Sequence, residues 1–302
     1  MKRSEAIAAF DTYVDQFDRD NPMIYQKAVH SHKVAEIAER IARSLGQEEL
    51  VDFAWLLGLL HDIGRFEQVK QYGTFADSQS VDHAELGADI LFKDGLIEAF
   101  PTGTLPEGWQ NTAETAIRQH NKLALSDGLD EYTRTLSNIL RDADKVDIFR
   151  VLIELSYADR GGGRKPDHPE SCELSPEVMK CVKEHRCVPS HVRKTSFDRR
   201  VSHCCLAFEL VYEESRQITR EQGYLQKLLS MQDEDGVNVR NERQLLQLAM
   251  VEEEIERAWS CHGDGSFDTL SSSSLVLTNL LDKSDNKLIH KSLCTEIPKV
   301  NK

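Results

Sequence analysis

An apolar run that ends on two strongly polar residues constrains the fold of this chain most. The run FAWLLGLL spans residues 53–60, and His61 and Asp62 follow it directly. Polar side chains at the end of such a run are costly to bury unless a partner satisfies them. A metal ion would satisfy an imidazole and a carboxylate together. The run therefore predicts an apolar helix that ends on a satisfied His-Asp pair.

Helical periodicity dominates the rest of the sequence. In KVAEIAERIARSLG, which begins at Lys33, apolar residues recur with the three- and four-residue spacing of one helix face, and Gly46 is a good stop signal. We find no convincing run of alternating strand residues and no internal repeat. The pattern predicts an all-α helical bundle. Further helices are predicted over 48–62, 82–92, 111–121, 131–158, 175–186 and 197–231.

The character of the chain changes after about residue 236. The segment NERQLLQLAMVEEEIERAW has the pattern of one more amphipathic helix, and a polar stretch rich in serine follows it. We therefore predict a main domain over 1–235 and a mostly helical C-terminal extension over 236–302. The sequence leaves the role of this extension open.

Charge and composition exclude several classes of protein. The net charge is −14, from 37 basic and 51 acidic residues, whereas a nucleic-acid duplex requires a basic surface. No apolar run reaches the length of a membrane span, and the N-terminal segment lacks the apolar core of a signal peptide. We expect a cytoplasmic protein with no membrane partner, in which the seven cysteines are reduced.

Histidine and aspartate residues with metal-ligand chemistry recur along the first half of the chain. Each group falls on a different predicted helix, so the groups converge only inside a helical bundle, where facing side chains build metal sites. His30 lies two positions from His32, and we favour His32 because it lies near the start of the periodic helix. The candidate ligands are His32, His61, Asp62, His83, His120 and Asp144.

The motifs around these residues resemble those of the HD superfamily of metal-dependent phosphohydrolases. The strings LLHDIGR and DADKVD are typical forms of its central and last motifs. HAELGADIL and IRQHNK resemble the two additional histidine motifs of the binuclear branch, which includes cyclic-dinucleotide phosphodiesterases. The Gly-Tyr-Pro signature of those phosphodiesterases does not follow His120. The resemblance covers about residues 25–160.

The resemblance implies a site for two divalent metal ions per chain. His32, His61, Asp62 and Asp144 would hold the first ion. Asp62 would bridge to a second ion, which His83 and His120 would also hold. Nitrogen and carboxylate ligands without thiolate favour Fe, Mn, Co, Ni or Mg over a structural zinc.

The resemblance also implies hydrolysis of a phosphate ester by a metal-activated water. Asp62 would be a catalytic residue, and Arg65, directly after HDIG, would contact the substrate phosphate. Lys145, beside Asp144, is a second cationic candidate for the catalytic site. For both cations a solvent-exposed charge remains the alternative. The expected substrate is a small phosphorylated compound, nucleotide-like, as a monoester or a diester. The sequence leaves a homodimer open.

Two alternatives remain at the level of sequence. Some proteins with this fold have a similar ligand set but use a di-iron centre to activate oxygen. Another possibility is an inactive nucleotide-sensing module, although the full set of candidate ligands argues against it.

Overall fold

The computed structural model describes residues 1–155, 173–230 and 242–260. Its regular elements within these ranges are helices, which confirms the all-α prediction. None of the described helices is both long enough and apolar enough to cross a membrane. The α-helices are α1 (Arg3–Val14), α2 (Pro22–Ser44), α3 (Glu48–Leu60), α4 (Ile63–Tyr72), α5 (His83–Ala88), α6 (Trp109–Gln119), α7 (Glu131–Glu154), α8 (Pro176–Lys183), α9 (Ser196–Cys204), α10 (Glu213–Gln222), α11 (Tyr224–Leu229) and α12 (Glu242–Ser260).

Helix α2 is the centre of the bundle and packs along both α3 and α7. It begins at Pro22, well before the predicted start at Lys33, because Asn21 caps it by accepting a hydrogen bond from the backbone N–H of Met23 at 2.9 Å. The approach to α3 is close. A Cβ atom added to Gly58 would lie 2.7 Å from Cα of Ala35.

The predicted helix over 48–62 ends at Leu60, and α4 begins three residues later. Between them His61 keeps helical angles, whereas Asp62 has φ −102° and ψ 17°, which turns the chain into α4. The apolar run is buried throughout, with Phe53 and Leu59 fully inaccessible to solvent. The turn therefore carries both polar side chains into the interior rather than to the surface.

Two glycines allow α4 and α5 to touch backbone to backbone. A Cβ atom added to Gly64 would lie 2.4 Å from the carbonyl oxygen of His83 and 2.6 Å from the backbone nitrogen of Gly87. Both distances are shorter than any normal contact, so a side chain at position 64 would force the two helices apart. The glycine of the motif LLHDIGR therefore serves the packing of these helices.

The chain after residue 173 is fixed to the bundle through α7. The carboxylate of Asp142 is buried and accepts hydrogen bonds from the backbone N–H groups of Val211 and Tyr212 and from the hydroxyl of Ser215. These groups lie in the two residues before α10 and in its first turn, so the contacts fix the start of that helix. The predicted helix over 197–231 is therefore interrupted. It forms α9, α10 and α11, with an extended stretch before α10 and Gly223 at φ +69° after it.

The predicted C-terminal extension is helical where the structure describes it. Helix α12 packs against the 3-10 turn Cys205–Glu209, and the indole of Trp259 donates a hydrogen bond to the carbonyl of Ala207 at 2.9 Å. Trp259 is buried. The other residues of the extension, 236–241 and 261–302, lie outside the described ranges.

We predict that Gly64→Ala lowers the free energy of unfolding by about 1–3 kcal/mol, the usual cost of overpacking. Urea denaturation of metal-free protein measures this change. Gly103→Ala is the matched control, because Gly103 is exposed and nothing lies within 4 Å of an added Cβ atom there. Equal stability of the two variants would contradict the packing role of Gly64.

Candidate metal centre

Five elements bring histidine and aspartate side chains together inside the bundle. They are α2, the turn between α3 and α4, α5, the end of α6, and α7. Their nitrogen and oxygen atoms form overlapping groups in which the ligand atoms lie within 4.8 Å of one another. We call this set the His/Asp cluster. Its members are His30, His61, Asp62, His83, His120 and Asp144.

Asp62 lies in the middle of the cluster and presents one oxygen to each half. Its Oδ2 atom is 3.6 Å from Nε2 of His30 and 3.5 Å from Nε2 of His61. Its Oδ1 atom is 3.4 Å from Nε2 of His83 and 3.7 Å from Nε2 of His120. The two oxygens of one carboxylate thus face two separate pairs of imidazole nitrogens.

Asp144 completes the half that contains His30 and His61. Its Oδ1 atom is 3.1 Å from Nε2 of His30 and 3.6 Å from Nε2 of His61. Asp144 is carried by α7, one of the two helices that pack along α2, so its position is fixed by the centre of the bundle.

Backbone carbonyls fix the orientation of two imidazoles. Nδ1 of His61 donates to the carbonyl of Gly58 at 2.8 Å, and Nδ1 of His120 donates to the carbonyl of Ile117 at 2.7 Å. A carbonyl oxygen only accepts hydrogen bonds, so each Nδ1 carries the hydrogen. In the neutral ring, Nε2 is then an acceptor that points into the cluster.

Carboxylates orient the other two imidazoles. Nδ1 of His30 is 2.7 Å from Asp147, and Nδ1 of His83 is 2.7 Å from Asp77. An outer carboxylate of this kind holds the ring of a metal-binding histidine and raises its basicity. Neither acid was among the residues predicted from the sequence. Asp147 carried a usable signal, because it lies one helical turn after Asp144.

Arg141 fixes the chain that carries His120. Its guanidinium donates to the carbonyls of Gln119 and His120 at 3.1 and 3.3 Å, and to that of Lys122. These carbonyls lie at the C-terminal end of α6 and just beyond it, where they have no partner within the helix. Arg141 was not among the residues predicted from the sequence.

Burial controls the charge of the histidines. It lowers the pKa of His61, and it lowers the pKa of His83 to about 4. Both rings are therefore neutral near pH 7, the state in which imidazole binds a metal. In His30, burial and the charge of Lys27 act in the same direction, but hydrogen bonds with Asp144 and Asp147 outweigh them and raise its pKa.

The central carboxylates are ionised despite their burial. Burial alone would raise the pKa of Asp62, but the positive charge of Lys27, whose Nζ atom is 2.6 Å from Oδ2, holds it well below its usual range. The pKa of Asp144 is also held well below its usual range, because hydrogen bonds with His30 and His61 outweigh burial. The neutral imidazoles of His61 and His83 therefore lie beside carboxylate anions in the cluster.

The cluster has the geometry and the unfilled valences that a metal would satisfy. Nε2 of His83 and Nε2 of His120 face each other at 3.1 Å. Two ligands bound at about 2.0–2.1 Å and at right angles on one ion would have nitrogens about 3 Å apart. In addition, Nε2 of His61 is buried and has no hydrogen-bond partner. The residues therefore fit a metal ion.

The structure does not bring His32 to the cluster, and His30 takes the place that we assigned to it. The ring of His32 packs edge-on against Phe10, with ring centroids 5.3 Å apart. Both histidines lie inside α2, and positions two residues apart point about 200° away from each other around a helix. The wrong choice followed from placing the start of the helix near Lys33 instead of at Pro22.

Arg65 and Lys145, the two expected phosphate contacts, both line a cavity next to the cluster. Arg65 donates to Asp77 at 2.9 Å, while its Nε atom is buried, lacks a hydrogen-bond partner and lies 3.6 Å from Asp62. Nζ of Lys145 is 3.2 Å from Glu209. Both cations are thus fixed at the wall of the cavity.

The cavity has a volume of about 600 Å³ and is open to Asp62, His83, His120 and Asp144. The segment 187–209 forms much of the rest of its wall. Its cationic lining contrasts with the net charge of −14 for the whole chain. The positively charged side chains are Lys27, Arg65, Lys122, Lys145 and Arg193.

Helical proteins that bind metal build the site from side chains on facing helices, and the His/Asp cluster has this arrangement. Residues 28–149 match the family model of the HD domain, and they contain every member of the His/Asp cluster. This region is an HD domain, the domain of a metal-dependent phosphohydrolase superfamily. Comparison with curated proteins and with solved structures gave no significant match.

We predict that His30→Ala lowers the affinity for divalent metal by more than about 100-fold, because loss of an outer-shell partner alone costs about 10- to 100-fold. Metal titration of dialysed protein measures this affinity. His32→Ala is the matched control and is expected to bind metal like the unmodified protein. Loss of metal from His32→Ala, with binding kept by His30→Ala, would reverse the assignment.

Proposed function

We propose that this protein is a binuclear metal-dependent phosphohydrolase. The position of Asp62 carries the proposal, because its two oxygens face two separate pairs of imidazoles. Asp62 would bridge two ions, as the central acid of a two-metal site does. The first ion would be held by His30, His61, Asp62 and Asp144, and the second by Asp62, His83 and His120.

Metal ions at these positions would supply Lewis-acid charge and lower the pKa of a bound water. Residues of the chain orient the ligands. Asp77 and Asp147 keep the rings of His83 and His30 turned toward the centre. Nitrogen and oxygen donors without a thiolate favour Fe, Mn, Co, Ni or Mg.

The cationic wall supports an anionic substrate. Lys27 and Arg65 lie beside Asp62, and Lys145 follows Asp144 in the sequence, so all three can meet a phosphate held at the cluster. Their charges would compensate those of the phosphate oxygens inside a partly closed cavity, where charge-assisted hydrogen bonds are strong.

The size and lining of the cavity favour a small phosphate ester of nucleotide size. A volume of about 600 Å³ lies within the range of ligand-binding pockets. Apolar side chains of Leu123, Ile148 and Leu206 line it beside the cations. Such a wall can contact the base of a nucleoside or another apolar part of the alcohol that the ester releases.

We predict that protein purified without chelator contains about two metal ions per chain and releases phosphate or nitrophenol from a phosphate ester. Elemental analysis measures the metal. p-Nitrophenyl phosphate and bis(p-nitrophenyl) phosphate distinguish a monoesterase from a diesterase. Asp62→Asn is expected to lower kcat by at least about 100-fold, since loss of one centrally placed charge group costs that much.

Asp89→Asn is the control for Asp62→Asn, because Asp89 pairs with Lys93 and Arg118 outside the cluster and the cavity. Oxygen uptake is measured in the same samples. Oxygen consumption that requires iron, without ester hydrolysis, would replace the proposal with the oxygenase alternative. Absence of bound metal after reconstitution with Mn or Fe would reject both activities.

A further inference from the structure

The cations that line the cavity differ in whether an acid neutralises them. Four of them each contact a carboxylate. Lys27 pairs with Asp62, Arg65 with Asp77, Lys122 with Asp82 and Lys145 with Glu209, at distances of 2.6, 2.9, 2.7 and 3.2 Å. Arg193 has no ion pair with any residue that the structure describes.

Arg193 is also poor in hydrogen bonds. Within the described ranges its guanidinium makes one, from Nη1 to the hydroxyl of Ser202 at 3.4 Å. A guanidinium has five N–H donors, and most of those in Arg193 therefore remain for a ligand. Its side chain is partly buried in the wall of the cavity. An unpaired cation in such a position is costly unless an anion binds to it.

A second positive charge, that of Arg199, acts on Arg193. Burial lowers the pKa of Arg193, and the neighbouring charge of Arg199 lowers it further. An arginine nevertheless stays protonated in proteins. The wall around Arg193 is therefore a place where a bound anion would gain from an uncompensated positive charge.

The backbone that carries Arg193 is held in place by Asp198. This carboxylate is fully buried and accepts hydrogen bonds from the backbone N–H groups of Lys194 and Thr195 at 2.9 and 3.1 Å. It also accepts from the backbone and the hydroxyl of Ser175 at 2.8 and 2.7 Å. Residues fixed in this way lose little entropy when a ligand binds, so the position of Arg193 is preorganised.

We propose that Arg193 and Ser202 form a second anion subsite in the cavity, separate from the His/Asp cluster, which binds a second phosphate group of the substrate. The inference rests on the proposed function, because it takes the first phosphate group to be the one held at the His/Asp cluster. Arg193 and Ser202 both lie outside residues 28–149, so the subsite is contributed by the chain beyond the HD domain. The substrate class is then an ester that carries two phosphate groups.

The first experiment measures binding of inorganic phosphate to metal-free protein by calorimetry. Arg193→Gln is expected to raise the Kd for phosphate by about 10- to 100-fold, the usual effect of losing a charge-assisted hydrogen bond. Lys194→Gln is the matched control. It removes the same charge one residue away, from an exposed side chain that pairs with Glu177. Circular dichroism of both variants, and of Arg193→Lys, shows whether each one folds.

The second experiment uses metal-loaded protein and two inhibitors of p-nitrophenyl phosphate hydrolysis. These are adenosine 5′-monophosphate and adenosine 3′,5′-bisphosphate, which differ by one phosphate group. The unmodified protein and Lys194→Gln are expected to prefer the bisphosphate by about tenfold or more, whereas Arg193→Gln loses the preference. Arg193→Lys should restore part of it, since lysine keeps the charge but not the guanidinium fork.

The outcomes separate the two proposals. If no phosphate ester is hydrolysed but Arg193→Gln still weakens phosphate binding, the proposed function fails and the anion subsite stands. If esters are hydrolysed but Arg193→Gln and Lys194→Gln bind phosphate equally and show the same preference between the inhibitors, the subsite is overturned and the proposed function stands.

Discussion

The position of one carboxylate, that of Asp62, is the constraint on which the rest of this structure depends. It is almost completely buried, and it stays ionised because the positive charge of Lys27 holds its pKa well below the usual range. A buried charge of this kind is stable only where the surrounding helices place a group of opposite charge within a few ångströms of it. Helices α2, α5, α6 and α7 therefore surround the turn at Asp62 and place the other members of the cluster around its carboxylate.

Packing and site geometry are linked through glycine. Gly58 lets α2 approach α3, and Gly64 lets α5 approach α4, in each case at distances that leave no space for a side chain. The first contact carries His30 toward the centre, and the second carries His83. Hydrogen bonds to carbonyls or carboxylates then fix the rings, so the cluster does not depend on side-chain packing alone.

The chain beyond the HD domain shapes the cavity. Asp142 of α7 holds the start of α10, and Glu209 contacts Lys145 at the wall. These contacts join the described residues after 173 to the same helix that carries Asp144. The proposed specificity for a second phosphate would therefore reside in a part of the chain that the family match does not cover.

The sequence by itself determined the helical class and most of the cluster. Helical spacing predicted the bundle, and the local strings around His61, His83, His120 and Asp144 were specific enough to single those residues out. Only the tertiary structure decided between His30 and His32, because that choice depends on where α2 begins and which of its faces meets α7. It alone also revealed Asp77 and Arg193, because they lie in the segments before α5 and α9, whose course helical periodicity does not encode.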